Sequence, residues 1–166
     1  MITSKYLKTI LEYEPISGIF IWKVKKRQNV YIGKVAGCIC KTTGYRKIGI
    51  DGKHYNAHIL AWFYMTGKYL PGKIDHENTI KDDNSWNNLR LANNSQNGAN
   101  RLIQKNNTSG YKGVVWHKRD KKWQVQIKKD GNKMFFGYFD DPIEAAKIHD
   151  REALTLHGQF AKLNFP

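Results

Sequence analysis

The C-terminal third of the chain contains three short segments in which apolar and polar residues alternate, followed by one long helical segment. The alternating segments read YKGVVWHKR, KWQVQIKK and KMFFGYF, and a period of two is typical of strands. Asp130-Gly131 predicts a hairpin turn between the second and the third. The next segment has Pro142 in its first turn and Gly158 at its end, which predicts a helix. Its apolar face is expected to pack against the sheet through Ile143, Ala146, Ile148, Ala153, Leu154 and Leu156.

The first 70 residues show a second group of elements. A short helix is predicted near the start, and three strand-like runs bounded by glycine follow it. Asp51-Gly52 predicts a turn after the third run, and a longer apolar helix is expected to end at Gly67. The predicted helices are SKYLKTILEYE and HILAWFYMTG, and the predicted strands are GIFIWKV, GKVAGCI and YRKIGID. Together with the C-terminal elements, these predict an α+β fold.

The net charge narrows the classes of partner. The 166 residues carry a formal net charge of +14, from 28 basic and 14 acidic side chains, and such an excess favours an anionic partner. Nucleic acid is the first expectation, because no segment approaches the roughly 18 apolar residues that span a bilayer and the N-terminus lacks the sections of a signal peptide. We therefore expect a cytoplasmic protein without a membrane partner.

The two cysteines do not favour a metal site. Cys38 and Cys40 are separated by one residue, and no second Cys or His pair stands at ligand spacing. We interpret them as thiols of a strand in a reducing cytoplasm.

The excess of positive charge is concentrated around the C-terminal strands. Between Arg101 and Lys133 there are ten basic residues and two acidic ones. In the middle strand, alternation separates the apolar side chains from the polar ones, and the polar face holds Gln124, Gln126 and Lys128. Amides can read base edges and cations can hold phosphates. A solvated lysine face on a small sheet would explain the charge equally well.

The C-terminal sequence resembles the APETALA2/ERF-type DNA-binding domain. The similar motifs are YKGV, GYFDD, EAAKIHDREA and LNFP, in the order typical of the family. The resemblance implies a three-stranded antiparallel sheet packed on one helix, with the sheet lying in the major groove of DNA. It also implies DNA contacts for residues of the sheet, namely Lys112, Gln124, Gln126, Lys128 and Lys133.

Two departures from the plant factors concern sequence discrimination. Those factors usually carry Arg at the position of Lys112, and Arg or another polar residue near Val115. Because an Arg fork can contact guanine with two hydrogen bonds, we expect weaker discrimination between sequences here. On the helix, His149, Asp150 and Arg151 are expected to tie the helix to the sheet rather than to touch DNA.

An adjacent acid and histidine, Asp75 and His76, stand in the stretch KIDHENTIKDDNSWNNLR. Cutting a phosphodiester usually needs a divalent cation to stabilise developing charge and a base to activate water. A carboxylate and an imidazole can do both jobs if the chain bends so that they do not point to opposite sides. By itself, such a pair is more often a loop histidine beside a solvated acid.

The sequence around this pair resembles the HNH endonuclease module. The similar features are a His before an apolar helix, a G-x-x-x-P-G segment, I-D-H, a D-N-containing loop, N-L-R and Q-N-x-x-N, all within AHILAWFYMTGKYLPGKIDHENTIKDDNSWNNLRLANNSQNGANR. Upstream, YEPISGIFIW, VAG and GYRKIGIDGK resemble the N-terminal part of homing endonucleases from phages and mobile introns. In the family, the module folds as a β-hairpin followed by a helix around one metal ion.

The HNH resemblance implies roles for four residues. His76 falls on the general base, and Asp75 and Asn97 fall on the positions that hold the metal ion. Asn88 falls on the middle position, whose side chain bonds the loop backbone and keeps the base oriented. The third position is an Asn rather than the His of some members, and such oxygen ligands suit Mg²⁺, or Mn²⁺ as the alternative.

Ten asparagines lie between residues 78 and 107, and most are expected to shape tight loops by bonding local backbone. Asn84 is expected to brace the loop, and Asn100 and Arg101, one helical turn beyond the metal-side Asn, are expected to face phosphate. His58, at the start of the apolar helix, has two interpretations of equal weight: packing on the catalytic loop, or contact with DNA.

The sequence therefore predicts a DNA endonuclease of the HNH type. Residues 1–103 are expected to form the nuclease domain, 104–109 a linker and 110–166 the DNA-binding domain. We expect a monomer that nicks one strand of double-stranded DNA in a homing role, with further DNA contacts from Lys118 and Arg119. Two other classes remain open: a DNA-binding regulator with an inactive nuclease, and an RNA-binding or structural chromatin protein.

Overall fold

The computed structural model describes residues 2–26, 30–70 and 72–166. The chain divides into two compact units, Met1–Leu91 and Ala92–Pro166. Pro71, part of the G-x-x-x-P-G segment, lies outside the described residues. Within the described ranges, no helix has the length and apolar character that crossing a membrane requires. The chain is α+β, as predicted.

The first unit packs small sheets and helices around one apolar core. Its elements are α1 (Ser4–Ile10), β1 (Leu11–Glu14), β2 (Ile19–Trp22), β3 (Cys38–Ile39), β4 (Arg46–Ile50), β5 (Lys53–Asn56), α2 (Ala57–Thr66), β6 (Lys73–His76) and β7 (Leu89–Ala92). Strand β1 pairs with β2, β4 lies between β3 and β5, and β6 pairs with β7. Large side chains buried in the core include Leu7, Leu11, Phe20, Ile48, Ile50 and Leu60.

Two elements of the first unit differ from their sequence predictions. The predicted helix SKYLKTILEYE ends at Ile10, because the next residues alternate between buried and less buried positions and pair with β2. The predicted strand GKVAGCI forms only the short β3 at its end, after an isolated bridge at Val35. Gly37 lies between the bridge and β3 with a φ of +80°, and this left-handed conformation interrupts an extended strand.

The second unit is a three-stranded antiparallel sheet with one long helix on it, preceded by a short helix. The elements are α3 (Asn94–Ala99), β8 (Val114–His117), β9 (Lys122–Lys129), β10 (Asn132–Phe139) and α4 (Pro142–His157). Strand β9 lies between β10 and β8, and α4 packs mainly on β9. The sheet and α4 share a core of Val114, Val125, Ala145 and Ala146.

Helix α4 begins and ends at the predicted residues, but its predicted apolar face is buried only in part. Ala146 and Ala153 are buried as expected, and Ile148 and Leu156 are half-buried. The Asp141 side chain accepts hydrogen bonds from two backbone N–H groups of the first turn, and Gly158 ends the helix. Ile143 and Leu154, expected in the core, are 44% and 49% exposed. The buried positions are instead mostly small, namely Ala145, Ala146, His149, Asp150 and Ala153. The helix thus contributes mostly small side chains to the core that it shares with the sheet.

The buried carboxylate of Asp150 anchors the C-terminal segment to α4. It accepts hydrogen bonds from the backbone N–H groups of Asn164, at 2.8 and 3.0 Å, and of Phe165, at 2.9 Å. The Asn164 side chain in turn bonds both backbone groups of Lys112, next to the sheet. Asp150 therefore ties the helix to the sheet through Asn164. Arg151, expected to share this role, is exposed and pairs with Glu152.

Candidate active site

Strand β6 ends in Asp75 and His76, which are both buried, at 5% exposure each. The carboxylate of Asp75 contacts Arg90 on the paired strand β7. The ring of His76 contacts Asn84, in the segment of residues 77–88 that joins the two strands. The acid and the base therefore have separate partners, and the charge of the Asp75 carboxylate still acts on the ring of His76. We call residues 77–88 the β6–β7 loop.

Asn84 is the hydrogen-bonding partner of His76 in this loop. Its side-chain oxygen lies 3.4 Å from Nε2 of His76, and its side-chain nitrogen donates to the carbonyl of Asp82 at 2.9 Å. Because the amide nitrogen donates to Asp82, the oxygen faces the ring, an arrangement that favours the tautomer with its proton on Nε2. In the neutral imidazole, the basic lone pair is then at Nδ1. The sequence predicted that Asn84 would brace the loop but missed its contact with the base.

The surroundings of His76 favour the neutral ring that a general base needs. Burial lowers the pKa of His76, and the hydrogen bond to Asn84 and the charge of Asp75 oppose this in part. A neutral imidazole can accept a proton, whereas an imidazolium cannot.

Arg90 holds the carboxylate of Asp75. Both Nε and one terminal nitrogen of Arg90 lie 3.0 Å from the same Asp75 oxygen, and the Arg90 side chain is only 14% exposed. A second terminal nitrogen lies 3.7 Å from Glu77. A charge-assisted contact with a planar guanidinium fixes the orientation of a carboxylate better than a single neutral bond. Sequence reasoning assigned Arg90 no role beyond its place in N-L-R.

Asn88 and its neighbours hold the β6–β7 loop in shape. The side-chain oxygen of Asn88 accepts from the backbone N–H of Asn78 at 2.9 Å, and its nitrogen donates to the carbonyl of Asp83 at 2.8 Å. The backbone N–H of Glu77, at the start of the loop, also donates to the carbonyl of Asn88, at its end. Together these bonds join the two ends of the loop. That Asn88 thereby orients the base stays a prediction.

The hairpin of β1 and β2 supports the loop from the N-terminal side. The Tyr13 hydroxyl donates to the carbonyl of Asn84 at 2.7 Å, and the N–H of Trp86 donates to the carbonyl of Pro15 at 2.8 Å. Gly18, in the hairpin turn, lies so close to the backbone of Asn84 that a Cβ there would overlap it. The hairpin thus fixes the residue that contacts His76.

Replacing Gly18 with alanine is expected to destabilise the first unit. Gly18 has a φ of +72°, which costs an L-residue about 1 kcal/mol, and the overlap with Asn84 adds about 1–3 kcal/mol more. Gly52→Ala is the matched control, because Gly52 has a φ of +79° and no atom lies within 4 Å of the position that its Cβ would take. Urea unfolding should show a clearly larger decrease in the free energy of unfolding for Gly18→Ala than for Gly52→Ala. Equal decreases would contradict the close approach of Gly18 to the backbone of Asn84.

His58 is buried at the start of α2, so its position agrees with packing rather than with an exposed DNA contact. Its ring lies 5.1 Å from the ring of His76 in an edge-on arrangement and 4.9 Å from the ring of Tyr45. Its buried Nδ1 has no hydrogen-bond partner among the described residues. Burial, and secondarily the charge of His76, lower the pKa of His58 to about 4. His58 therefore lies beside the base as a neutral ring.

Asn97, predicted as the second metal ligand, lies on α3 in the second unit. Helix α3 begins with a capping box, in which the side chains of Asn93 and Gln96 each accept from the other's backbone N–H at 2.8 Å. Asn97 is half-buried. Its action together with Asp75 stays a prediction.

The two residues after α3 differ in exposure. Asn100, predicted to face phosphate, is buried, which does not suit a contact with a solvated backbone. Arg101 is exposed, as a phosphate contact requires.

The donor set suits a hard divalent ion held by few protein ligands. In residues 2–26, 30–70 and 72–166, no three His, Cys, Asp or Glu side chains are grouped as a metal cluster. The predicted ligands are the carboxylate of Asp75 and the amide oxygen of Asn97. Mg²⁺ binds oxygen, often through one or two carboxylates, and keeps several waters. The predicted ligands are thus oxygen donors of the kind that Mg²⁺ prefers, and the identity of the ion stays a prediction.

The polar face of the β8–β10 sheet carries most of the predicted DNA contacts. Gln124, Gln126 and Lys128 alternate with the buried apolar side chains of β9, and Lys133 lies directly opposite Lys128. Arg101, Gln126 and Lys128 also line one cleft of about 1000 Å³ within the second unit. In the turn between β8 and β9, Lys118 and Arg119 are exposed, so the structure gathers cations around this face.

Lys112 differs from the other predicted DNA contacts. Its side chain is half-buried, and its ammonium donates to the carbonyl of Ala99 at the end of α3. Burial lowers the pKa of Lys112 to about 8. The ammonium thus links α3 to the start of the sheet rather than pointing into solvent, because the chain before β8 passes beside α3.

Comparisons with known proteins match both parts of the chain. The sequence profile of the HNH endonuclease family matches residues 55–99. Protein 3.8 of Escherichia phage T7 is 35% identical over 106 residues, which are 63% of this chain and 87% of that protein.

The C-terminal part is similar to plant proteins. APETALA2-like protein 2 of Oryza sativa subsp. indica is 34% identical over 58 residues, or 35% of this chain and 13% of that protein. The AP2-like ethylene-responsive transcription factor TOE2 of Arabidopsis thaliana is 34% identical over 58 residues, or 35% of this chain and 12% of that protein. These plant proteins are therefore matched over a small part of their length.

Proposed function

We propose that this chain, which belongs to the HNH endonuclease family, hydrolyses a phosphodiester bond of DNA with the help of a divalent metal ion. The observation that carries the proposal is His76, which is buried inside the matched module with its Nε2 directed to Asn84 and its pKa lowered by burial. A base in this state can accept a proton from water near neutral pH.

In the proposed reaction, His76 takes a proton from the attacking water at Nδ1. Asn84 keeps the ring in the tautomer that has its lone pair there, and Asn88 keeps the β6–β7 loop closed around it. Asp75 and Asn97 would hold the divalent ion, with Asp75 oriented by Arg90. Such an ion, when bound, supplies positive charge that stabilises the developing charge on the phosphate and on the leaving 3′ oxygen.

The second unit is proposed to target the enzyme to DNA. Its sheet carries amides and cations on the face opposite α4, and its sequence is similar to that of APETALA2-like proteins. One catalytic site in a monomer would cut one strand, so the product would be a nick. A homing role and action in the cytoplasm of a host cell are proposed from the resemblance to phage and intron enzymes and from the phage relative.

The test is nicking of supercoiled plasmids that carry genomic inserts. Purified protein in Mg²⁺ is expected to convert them to the open-circular form, and EDTA should abolish the conversion, because charge on the phosphate would no longer be stabilised. Mn²⁺ should restore it. Mapping the nicks would give the cut position and strand.

Binding without cutting is the result that would overturn the proposal. A protein that binds duplex DNA with steep salt dependence, yet leaves it intact in Mg²⁺ and in Mn²⁺, would be a DNA-binding regulator with an inactive nuclease. RNA that competes better than duplex DNA would indicate an RNA-binding protein instead.

A further inference from the structure

We propose that the exposed face of the β8–β10 sheet reads A·T base pairs in the major groove of duplex DNA. Two cross-strand pairs would do so, Gln124 with Val115 and Gln126 with Phe135. The inference rests on the proposed function, since it requires that the second unit binds duplex DNA. It goes further in naming the bases that this surface prefers.

The strand register places an amide beside an apolar side chain twice on this face. Val115 of β8 lies directly opposite Gln124 of β9, and Phe135 of β10 lies directly opposite Gln126. Directly opposite side chains share one face, with their Cβ atoms about 4.5–5.5 Å apart. Gln124 and Gln126 are two residues apart on one strand, so both pairs lie on the same side of the sheet.

The two apolar members are exposed although the second unit has its own core on the other face. Val115 is 50% exposed and Phe135 is 53% exposed. Val114 and Val125, the neighbours of Val115 and Gln124, are buried against α4. Val115 and Phe135 therefore do not serve the packing of α4 on the sheet.

The chemistry of each pair matches one A·T base pair. A glutamine amide can bond adenine at N6 and N7 at once, and an apolar side chain can contact the thymine methyl group. Guanine is read at O6 and N7 by the bidentate fork of an arginine or by a lysine. On the face formed by β8, β9 and β10, the described side chains include lysine but no arginine. The amide and apolar pairs therefore favour A·T over G·C.

Lysines beside these pairs suit the flanking phosphates. Lys128 and Lys133 lie directly opposite each other, and like charges in this position repel each other. A phosphate between them would relieve that repulsion and hold the sheet in the groove. The lysine charges would thus supply affinity for the DNA backbone, while the amide and apolar pairs would supply the preference for A·T over G·C.

The experiment compares the affinity of the full chain for matched duplexes, without divalent metal so that no cutting occurs. One duplex is rich in A·T and one in G·C. A third has deoxyuridine in place of thymidine, which removes only the methyl group, and a fourth has 7-deazaadenine, which removes only N7. Fluorescence anisotropy at a fixed salt concentration gives each Kd.

The A·T duplex is expected to bind about tenfold more tightly than the G·C duplex. The deoxyuridine and 7-deazaadenine duplexes should each lose several-fold in affinity. In Gln124→Ala combined with Gln126→Ala, the A·T affinity should fall towards the G·C level, keeping only the part that the thymine methyl groups contribute, and 7-deazaadenine should have no further effect. In Val115→Ala combined with Phe135→Ala, thymidine and deoxyuridine duplexes should bind equally.

Matched controls remove the same kinds of side chain elsewhere on the second unit. Gln159 and Leu154 are exposed and lie outside the sheet, so Gln159→Ala and Leu154→Ala should keep the full A·T preference. Equal binding of A·T and G·C duplexes by the wild type would overturn the inference. Tighter binding of single strands than of either duplex would also overturn it, since the exposed aromatic rings would then act by stacking.

Nicking of plasmid in Mg²⁺ separates this inference from the proposed nuclease function. A chain that nicks plasmid but shows no A·T preference would overturn the base reading alone. A chain that prefers A·T but never nicks would overturn the nuclease alone.

Discussion

Replacing His76 with alanine is expected to lower the rate of plasmid nicking by about 10²- to 10⁴-fold, the range that a positioned general base contributes. Alanine leaves Asp75, Asn97 and the DNA-binding face unchanged, so binding of DNA should remain. The loss should therefore appear in the rate at saturating protein rather than in the Kd for DNA. Single-turnover nicking at several protein concentrations measures both quantities.

His54→Ala is the matched control for this variant. His54 lies on β5 with an exposed side chain, so its removal should leave nicking at the wild-type rate. Thermal unfolding of both variants shows whether a lost rate reflects a lost fold. A folded His76→Ala protein that nicks as fast as the wild type would show that another group is the base.

Asn84 offers a graded version of the same experiment. Its oxygen faces Nε2 of His76, so Asn84→Ala should weaken the preference for the reactive tautomer while leaving the imidazole in place. We expect a rate between those of the wild type and of His76→Ala.

The elements that could be predicted from the sequence are those whose signals are local. Strands β9 and β10 flank Asp130-Gly131, and α4 has Pro142 and Gly158 at its two ends. Each of these signals acts within a few residues, so no knowledge of distant contacts is needed.

The buried face of α4 could be predicted only in part: Ala146 and Ala153 were expected in the core and are buried, but the rest depends on tertiary packing. Ile143 and Leu154 were expected on the core face, yet they are exposed, while Ala145 and Asp150 are buried. Hydrophobicity favours the larger side chains, but the tertiary packing places the small ones against the sheet. A buried Asp also requires a distant partner, here Asn164, that no local pattern indicates.

The candidate site also has a part that could be predicted from the sequence and a part that could not. The adjacent Asp75 and His76 are visible in the sequence, and the family resemblance implied their roles. Their contacts with Arg90 and Asn84 depend on the pairing of β6 with β7 and on the closure of the loop between them. Lys112 is a similar case, because its bond to Ala99 depends on the path of the chain between α3 and β8.

His58 should make the stability of the first unit depend on pH. Its pKa in the folded chain is about 4, against an ordinary value of 6.5, chiefly because the ring is buried. Between these two values the unfolded chain binds the proton more readily than the folded chain does, so the free energy of unfolding falls as the pH falls. A shift of this size corresponds to about 3 kcal/mol, fully present above pH 6.5 and lost on approach to pH 4.

Replacing His58 with phenylalanine should remove this part of the acid sensitivity. Phenylalanine keeps a ring against Tyr45 and His76, and Nδ1 of His58 has no hydrogen-bond partner to lose among the described residues. Urea unfolding followed by tryptophan fluorescence at about pH 7 and about pH 4.5 should show a smaller loss for the variant than for the wild type. For His54→Phe, the free energy of unfolding should decrease between the two pH values as much as it does for the wild type, because His54 is exposed. Equal decreases in the free energy of unfolding for the wild type and His58→Phe would contradict this. They would show that His58 takes up a proton in the folded chain as readily as in the unfolded chain, and hence that its ring beside His76 is solvated.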